Sequence, residues 1–287
     1  MARKCIMIDV IVPIYKGIEE TKECIQSLLT CPNTEQHRFI LINDYSPEKE
    51  IGEYLSGLAD ERIILLHNER NLGFVKTANR GMKYSENDVI LLNSDTVVTD
   101  HWIDKLHVAA CSNSRIGTVT TLTNNGTIAS VPLFNKDNEL PQGYTIQQFS
   151  DLVEYISNKQ YPVMPTGVGH GLYIKRTVIN VVGYLDEQTF GIGYCEEVDY
   201  SYRVIKCGYI NILADDTFIY HYGSTSFKED KIQLATNNKK KIRKKYFWRY
   251  LQLKYFMLLN NDVKRVGLRI QRELKRVDFH ENYEKSR

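Results

Sequence analysis

The sequence lacks the signatures of several common protein classes. Its six cysteines, at positions 5, 24, 31, 111, 195 and 207, form no Cys-x-x-Cys pair, which argues against a zinc knuckle or a thioredoxin-type site. Most lie among aliphatic or helical residues, so reduced cysteines in a cytosolic protein are expected. Met1-Ala2-Arg3-Lys4 leads into a short apolar run broken by Asp9, and no signal-peptide core follows. The apolar run Tyr255–Leu259 is far too short to span a bilayer. Membrane contact is therefore expected to be peripheral at most. No Gly-x-Gly-x-x-Gly follows the first strand and no Walker A sequence is present. These absences weigh against a dinucleotide-binding fold and a phosphate-loop NTPase. The segment Val12-Pro13-Ile14-Tyr15-Lys16 is not the glycine-rich basic loop of a sugar nucleotidyltransferase.

What is present is ordinary globular material. Of 287 residues, 43% are hydrophobic, 25% charged and 11% aromatic, enough for one large domain with a full core. The formal net charge of +2 conceals a split. Residues 228–287 hold 18 Lys/Arg against 7 Asp/Glu, and residues 1–227 hold 19 against 28. An acidic body thus carries a basic extension, an asymmetry that suggests an anionic partner for the extension.

Hydrophobic patterning predicts strands at 8–12, 39–42, 63–66 and 89–92, alternating with helices at 19–29, 50–58 and 75–84. This is the pattern of an α/β fold with a Rossmann-like, mainly parallel sheet and right-handed crossovers. Ligands bind such sheets beyond the carboxyl ends of the strands. Here three strand ends carry polar residues: Pro13–Lys16, Asn43–Ser46 and Asn93–Asp95. Further on, 123–138 reads as loop, 196–206 as a helix, and Phe218–Tyr220 as a strand ending at His221.

Six blocks, in order, resemble glycosyltransferase family 2, the inverting enzymes with the A-type nucleotide-sugar-binding fold. They are Val10-Ile11-Val12-Pro13-Ile14-Tyr15, Ile42-Asn43-Asp44-Tyr45-Ser46-Pro47, and Asn71-Leu72-Gly73 with Asn79-Arg80-Gly81. Leu91-Leu92-Asn93-Ser94-Asp95, Gly183-Tyr184-Leu185-Asp186-Glu187 and Gly193-Tyr194-Cys195-Glu196-Glu197-Val198-Asp199 complete the set. The resemblance covers about residues 8–225. The last block, with Asn124-Asn125-Gly126-Thr127-Ile128, looks closest to the rhamnosyltransferase-like members of surface polysaccharide synthesis.

The resemblance implies a division of labour. Asp44 would accept the N3–H of a uracil or thymine, with Pro13 and Tyr15 flanking the base; an Asx-turn or helix cap is the bland account of Asp44. Lys76 would meet a diphosphate oxygen at a helix N-terminus, or be a solvated lysine. Asp95 stands where the family carries Asp-x-Asp and would hold Mn2+ or Mg2+ on the diphosphate. Asn93 replaces the first aspartate of that motif, and Asn93 and Ser94 border the donor. His221 would join the metal. Glu197 would be the general base that takes the acceptor proton, with Asp199 as second candidate or orienting group. Helix-dipole stabilisation is the plain alternative for this acidic run, and an i,i+4 pair with Arg203 the plain alternative for Asp199. Asn124, Asn125, His170 and Glu196 would border the acceptor. The implied reaction moves a sugar from a UDP- or dTDP-sugar, dTDP-rhamnose among the candidates, to a hydroxyl of a glycan or lipid-linked acceptor. A scaffold subunit that has lost catalysis is the alternative that Asn93 raises.

The sequence divides into a catalytic part, residues 1–227, and a basic helical extension, residues 228–287. The catalytic part splits into a nucleotide-binding half, about 1–100, and an acceptor half, about 101–227. In the extension, Ile242, Tyr246, Tyr250, Leu253 and Met257 form one helical stripe, and Val263, Val266, Ile270, Leu274 and Val277 a second. These stripes fit either an anchor on an anionic membrane surface or packing against the body or a second subunit. Nucleic-acid binding is not expected, because the body is acidic and no recognition module is present.

Overall fold

Aliphatic runs bounded by polar turns become buried strands. In a computed structural model, which describes residues 6–223, 228–259 and 261–285, every residue of β1 (Ile8–Ile14) is buried. Beside it lie β2 (Arg38–Asn43), β3 (Ile63–His67) and β4 (Asp88–Leu92), in the order β3-β2-β1-β4 and all parallel. The crossovers are α1 (Ile18–Thr30), α2 (Lys49–Ser56) and α3 (Phe74–Tyr84). Gly81 lets α3 settle on β1, because a Cβ there would stand 2.4 Å from a methyl of Ile11. The carboxyl ends of β1, β2 and β4 therefore meet on one edge.

The second half departs from the simple parallel expectation. β8 (Gly171–Ile174) is antiparallel and sits between β4 and β6 (Ile116–Thr123). β9 (Ile210–His221) is parallel to β6. β5 (Thr96–Val97) pairs antiparallel with the end of β9, and β7 (Val163–Met164) with its beginning. β9 is twelve residues long, where hydrophobicity marks only Phe218–Tyr220. The reason is an irregularity in pairing: the register with β6 jumps from Ala214 to Phe218, and the intervening Asp215 and Asp216 are buried yet polar. The sheet is covered by helices that include α4 (Trp102–Cys111), α5 (Ile146–Ile156), α6 (Arg176–Val182), α7 (Glu187–Phe190) and α8 (Glu196–Lys206). The predicted 123–138 loop holds a single 3-10 turn, Thr127–Ala129.

The basic extension forms α9 (Lys228–Lys245), α10 (Phe247–Leu258) and α11 (Asp262–Lys285). Its apolar stripes are built into the body. Ile242 is buried in the same cluster as Tyr200, Tyr202 and Val204. Val263, Val266 and Ile270 share a core with Phe149, Val153 and Phe218. Tyr246, Tyr250, Leu253, Met257 and Leu274 pack at the margins of these clusters. The expected boundary at 227 and the side chain of Val277 lie outside the described residues. Among the described residues, no helix is long and apolar enough to cross a membrane.

Ile270 is fully buried, so Ile270→Ala is expected to cost about 2–4 kcal/mol of stability, read from the midpoint of urea unfolding. An unchanged midpoint would show that α11 is not part of the core.

Candidate functional site

The polar strand ends open into a cavity of about 1260 Å³, larger than a single drug-sized ligand requires. Pro13, Tyr15 and Asp44 line it, as do Asn93, Ser94 and Asp95. Asp44 is buried. One oxygen accepts from Asn68 Nδ2 at 2.7 Å and the Leu72 N–H at 2.8 Å; the other accepts the Gly73 N–H at 2.9 Å. Neither bland role applies to Asp44, since Asn43 makes the local turn by accepting the Ser46 N–H and the N-cap position of α2 is Glu48. Three donors fix the carboxylate and leave acceptor capacity on the second oxygen. Gly73 is required here: its φ is +81°, and a Cβ would lie 2.8 Å from the Ile192 backbone. The Phe74 N–H donates to Ile192 O at 3.1 Å, which ties the loop to the 191–193 segment.

Asp95 and His221 are brought together by β5, whose Thr96 pairs with His221. His221 Nδ1 lies 2.6 Å from the carbonyl oxygen of Asn125. A carbonyl only accepts, so Nδ1 carries the proton and Nε2 presents its lone pair in the neutral ring. Asp95 Oδ1 stands 3.2 Å from that Nε2. Two acceptors so placed call for a proton or a cation between them. Burial lowers the His221 pKa, but the carboxylate of Asp95 and the carbonyl of Asn125 more than reverse this and hold it above the ordinary histidine value. His170 stacks on His221 with ring centroids 5.9 Å apart. It directs Nε2 at Thr121 O, 3.1 Å away, and its buried Nδ1 has no partner. Burial, and next the neighbouring His221, lower its pKa to about 3, so His170 is neutral.

The opposite wall is the start of α8. Glu196 and Glu197 line the cavity. Burial raises both pKa values, and the neighbouring charge of Glu197 raises that of Glu196 further. Helix-terminal backbone N–H groups oppose the rise in Glu197. The approach to α8 is strained: Tyr194 and Cys195 have φ near +70°, a region that costs non-glycine residues energy. Asn238 of α9 braces the turn, donating from Nδ2 to Gly193 O at 2.9 Å and Tyr194 O at 3.0 Å.

Three expected site residues do not line the cavity. Lys76 is exposed on α3, where its flexible chain meets solvent; the lysine in the wall is Lys16. Asn124 is spent on structure, donating to Asn138 O and His221 O and accepting the His221 N–H. Asp199 is fully buried and turned away from the cavity. It accepts from Arg203 Nε at 2.8 Å, Lys245 Nζ at 2.7 Å and the Tyr246 hydroxyl at 2.8 Å. Asn125, by contrast, lies in the wall. Sequence reasoning missed Asn238, Lys245 and Tyr246. The i+4 position of Tyr246 relative to Ile242 signalled burial, but nothing local identified the partner.

Residues 9–182 match the family model described as glycosyl transferase family 2. The chain belongs to that family. The glycosyltransferase GlyG of Streptococcus pneumoniae is 30% identical over 106 residues, 35% of this chain and 34% of that relative. The alignment thus spans about a third of GlyG. Among solved structures, GalNAc-T7 with UDP, GalNAc and Mn2+ superposes with TM-score 0.64 at 15% identity, covering 95% of this chain and 55% of the other. The Pyrobaculum calidifontis mannosyltransferase PcManGT, in complex with GDP-Man and Mn2+, gives 0.60 at 13%, covering 92% and 73%. At these identities the likeness is one of fold.

In this family 2 chain the cavity wall is strongly acidic. It contains Glu20, Asp44, Glu48, Asp95, Glu196 and Glu197, and among its described residues Lys16 is the one lysine or arginine. Such a wall repels an anion unless a cation comes with it.

Two substitutions test the bracing of α8. Asp199→Asn should lower stability by about 1–3 kcal/mol, the smaller end reflecting the partly exposed Lys245 and Arg203. Asn238→Ala should cost about 1–2 kcal/mol. Thermal unfolding read by circular dichroism measures both; wild-type values would show that the extension does not support the turn.

Proposed function

We propose that the chain is an inverting glycosyltransferase that uses a divalent ion and a UDP- or dTDP-sugar, and that its acceptor is a hydroxyl of a glycan or lipid-linked glycan. The observation that carries this reading is the facing pair Asp95 and His221, 3.2 Å apart, in an acidic cavity. Two donors each about 2.1 Å from one ion and at right angles stand ~3.0 Å apart. The second nitrogen of His221 donates to a backbone carbonyl, the usual support for a metal-bound imidazole. The residues therefore fit a hard divalent ion, Mn2+ or Mg2+. Bound there, such an ion would neutralise charge on a departing nucleoside diphosphate. With two protein ligands in the set, the diphosphate of the donor is expected to complete the site.

Asp44 supplies an acceptor for an imide N–H, which uracil and thymine have; a cytosine offers no such donor at that edge. Pro13 and Tyr15 bound the base by shape. Glu197 takes the proton of the attacking hydroxyl as the new bond forms at the anomeric carbon and the diphosphate leaves from the opposite face. A pKa raised by burial suits a carboxylate base. It must be ionised to act, so turnover is lost as pH falls through that raised value, above the usual carboxylate range. Rhamnose is one candidate sugar, and surface polysaccharide one candidate product.

A panel of nucleotide sugars with Mn2+ and Mg2+, scored by heat of binding and by nucleoside diphosphate release, tests the reading. Asp95→Ala should abolish release with little change in unfolding temperature, and wild-type turnover in that variant would remove the metal assignment. Glu197→Gln should bind donor normally and turn over about 100-fold slower or worse. Asp44→Asn should weaken uridine and thymidine donors by about tenfold while preserving metal binding.

A further inference from the structure

The described side chains of the two apolar stripes of the extension are accounted for by packing on the body, but α10 has apolar residues on its other side as well. Tyr250, Leu253, Phe256 and Met257 face the body. At 100° per residue, Phe247, Trp248, Tyr255, Leu258 and Leu259 fall on an arc of roughly 120° directly opposite. All five are exposed, Trp248 by 75% and Leu258 by 79%. No residue of α10 is fully buried. A helix apolar on two opposite faces is at home between two apolar phases, and the body supplies one of them.

The charge around this face identifies the other. Lys239, Lys240, Arg243 and Lys244 are exposed just before α10, and Lys254 lies at the edge of its outer arc. A second copy of the chain meeting this face would bring a second basic cluster into the interface without adding an anionic partner of comparable size from α10 itself. An anionic bilayer complements the lysines and accepts the aromatic and aliphatic side chains at headgroup depth. α10 has 12 residues, too few to cross a bilayer but enough to lie along its surface.

We propose that the outer face of α10 docks the protein on an anionic lipid surface. Trp248, Tyr255, Leu258 and Leu259 enter the interfacial region, and Arg243, Lys244 and Lys254 meet lipid phosphates. The same extension reaches the cavity through Leu234, which lines it, and through Asn238 on the 193–194 turn. The docking helix is thus continuous with the segment that lines the cavity. The surface is separate from the donor site, and its test needs no turnover.

The chain has two tryptophans. Trp102 is fully buried and Trp248 is exposed, so a change in emission reports Trp248. The full chain should co-sediment with phosphatidylcholine vesicles containing phosphatidylglycerol, and its emission should shift to the blue. It should not bind phosphatidylcholine alone, and added salt should weaken binding. The double variants Trp248→Ser/Leu258→Ser and Arg243→Glu/Lys244→Glu should each lose about tenfold or more in co-sedimentation, with unchanged circular dichroism and unchanged nucleotide binding. Wild-type protein that stays in the supernatant with unshifted emission overturns the proposal, as does binding that survives both variants. A concentration-dependent dimer abolished by Trp248→Ser/Leu258→Ser, without vesicle binding, assigns the face to a second copy instead and also overturns it.

Discussion

The pairing of Thr96 with His221 is the contact on which the site depends. In the sheet, β4 and β9 are separated by β8 and β6, so their axes stand three strand spacings apart, ~14 Å. No side chain bridges that distance. The chain does so itself: residues 93–97 leave β4, cross the carboxyl edge, and pair with the end of β9. Along the way the Asn93 N–H donates to His170 O at 3.2 Å, and the Tyr222 N–H donates to Asp95 O at 2.9 Å. These backbone bonds fix Asp95 beside His221, stack His170 behind it, and hold Asn125 against the far side of the imidazole. The antiparallel β8 is the strand that makes this crossing necessary.

The first hundred residues were legible because each physical signal there is local. β1 to β4 and α1 to α3 follow from aliphatic runs and 3.6-residue periodicity, and the site residues at their ends follow from the rule that such ends converge. Asp44, Asn93, Ser94 and Asp95 all lie in the wall for that reason. The second half was legible only in part. The acidic dipeptide in β9 hid a long strand, since a strand that carries buried aspartates at a bulge has no alternating pattern to find. Asp199 illustrates a further limit. Its position three residues into α8 was clear, but its neighbours come from 46 and 47 residues further along the chain, and no spacing rule reaches them. Asn124 and Lys76, which do not line the cavity, meet the same limit: membership of a loop or helix does not say which way a side chain turns.

The charge split has a more specific form in the fold. Negative charge is concentrated in the cavity, where carboxylates from β2, the 93–97 crossing and α8 converge. Positive charge is used in two ways on the extension. Lys241 and Lys245 are turned inward, to Thr189 O and to the carboxylates of Asp186 and Asp199, while Arg243 and Lys244 stay exposed. Acidic body and basic extension are therefore joined partly by their own opposite charges, and Asp199 is where that join is driest.

The burial of Ile242, Val263, Val266 and Ile270 bears on how the molecule comes into being. A ribosome makes the sheet and α8 well before it makes these four side chains. Until residue 270 emerges, Phe149, Val153 and Phe218 have an incomplete lid, and the ground beneath α8 lacks Ile242. The nascent chain thus carries open apolar surface over a stretch of synthesis longer than the sheet alone would need. The extension is the part of the polypeptide that ends this interval.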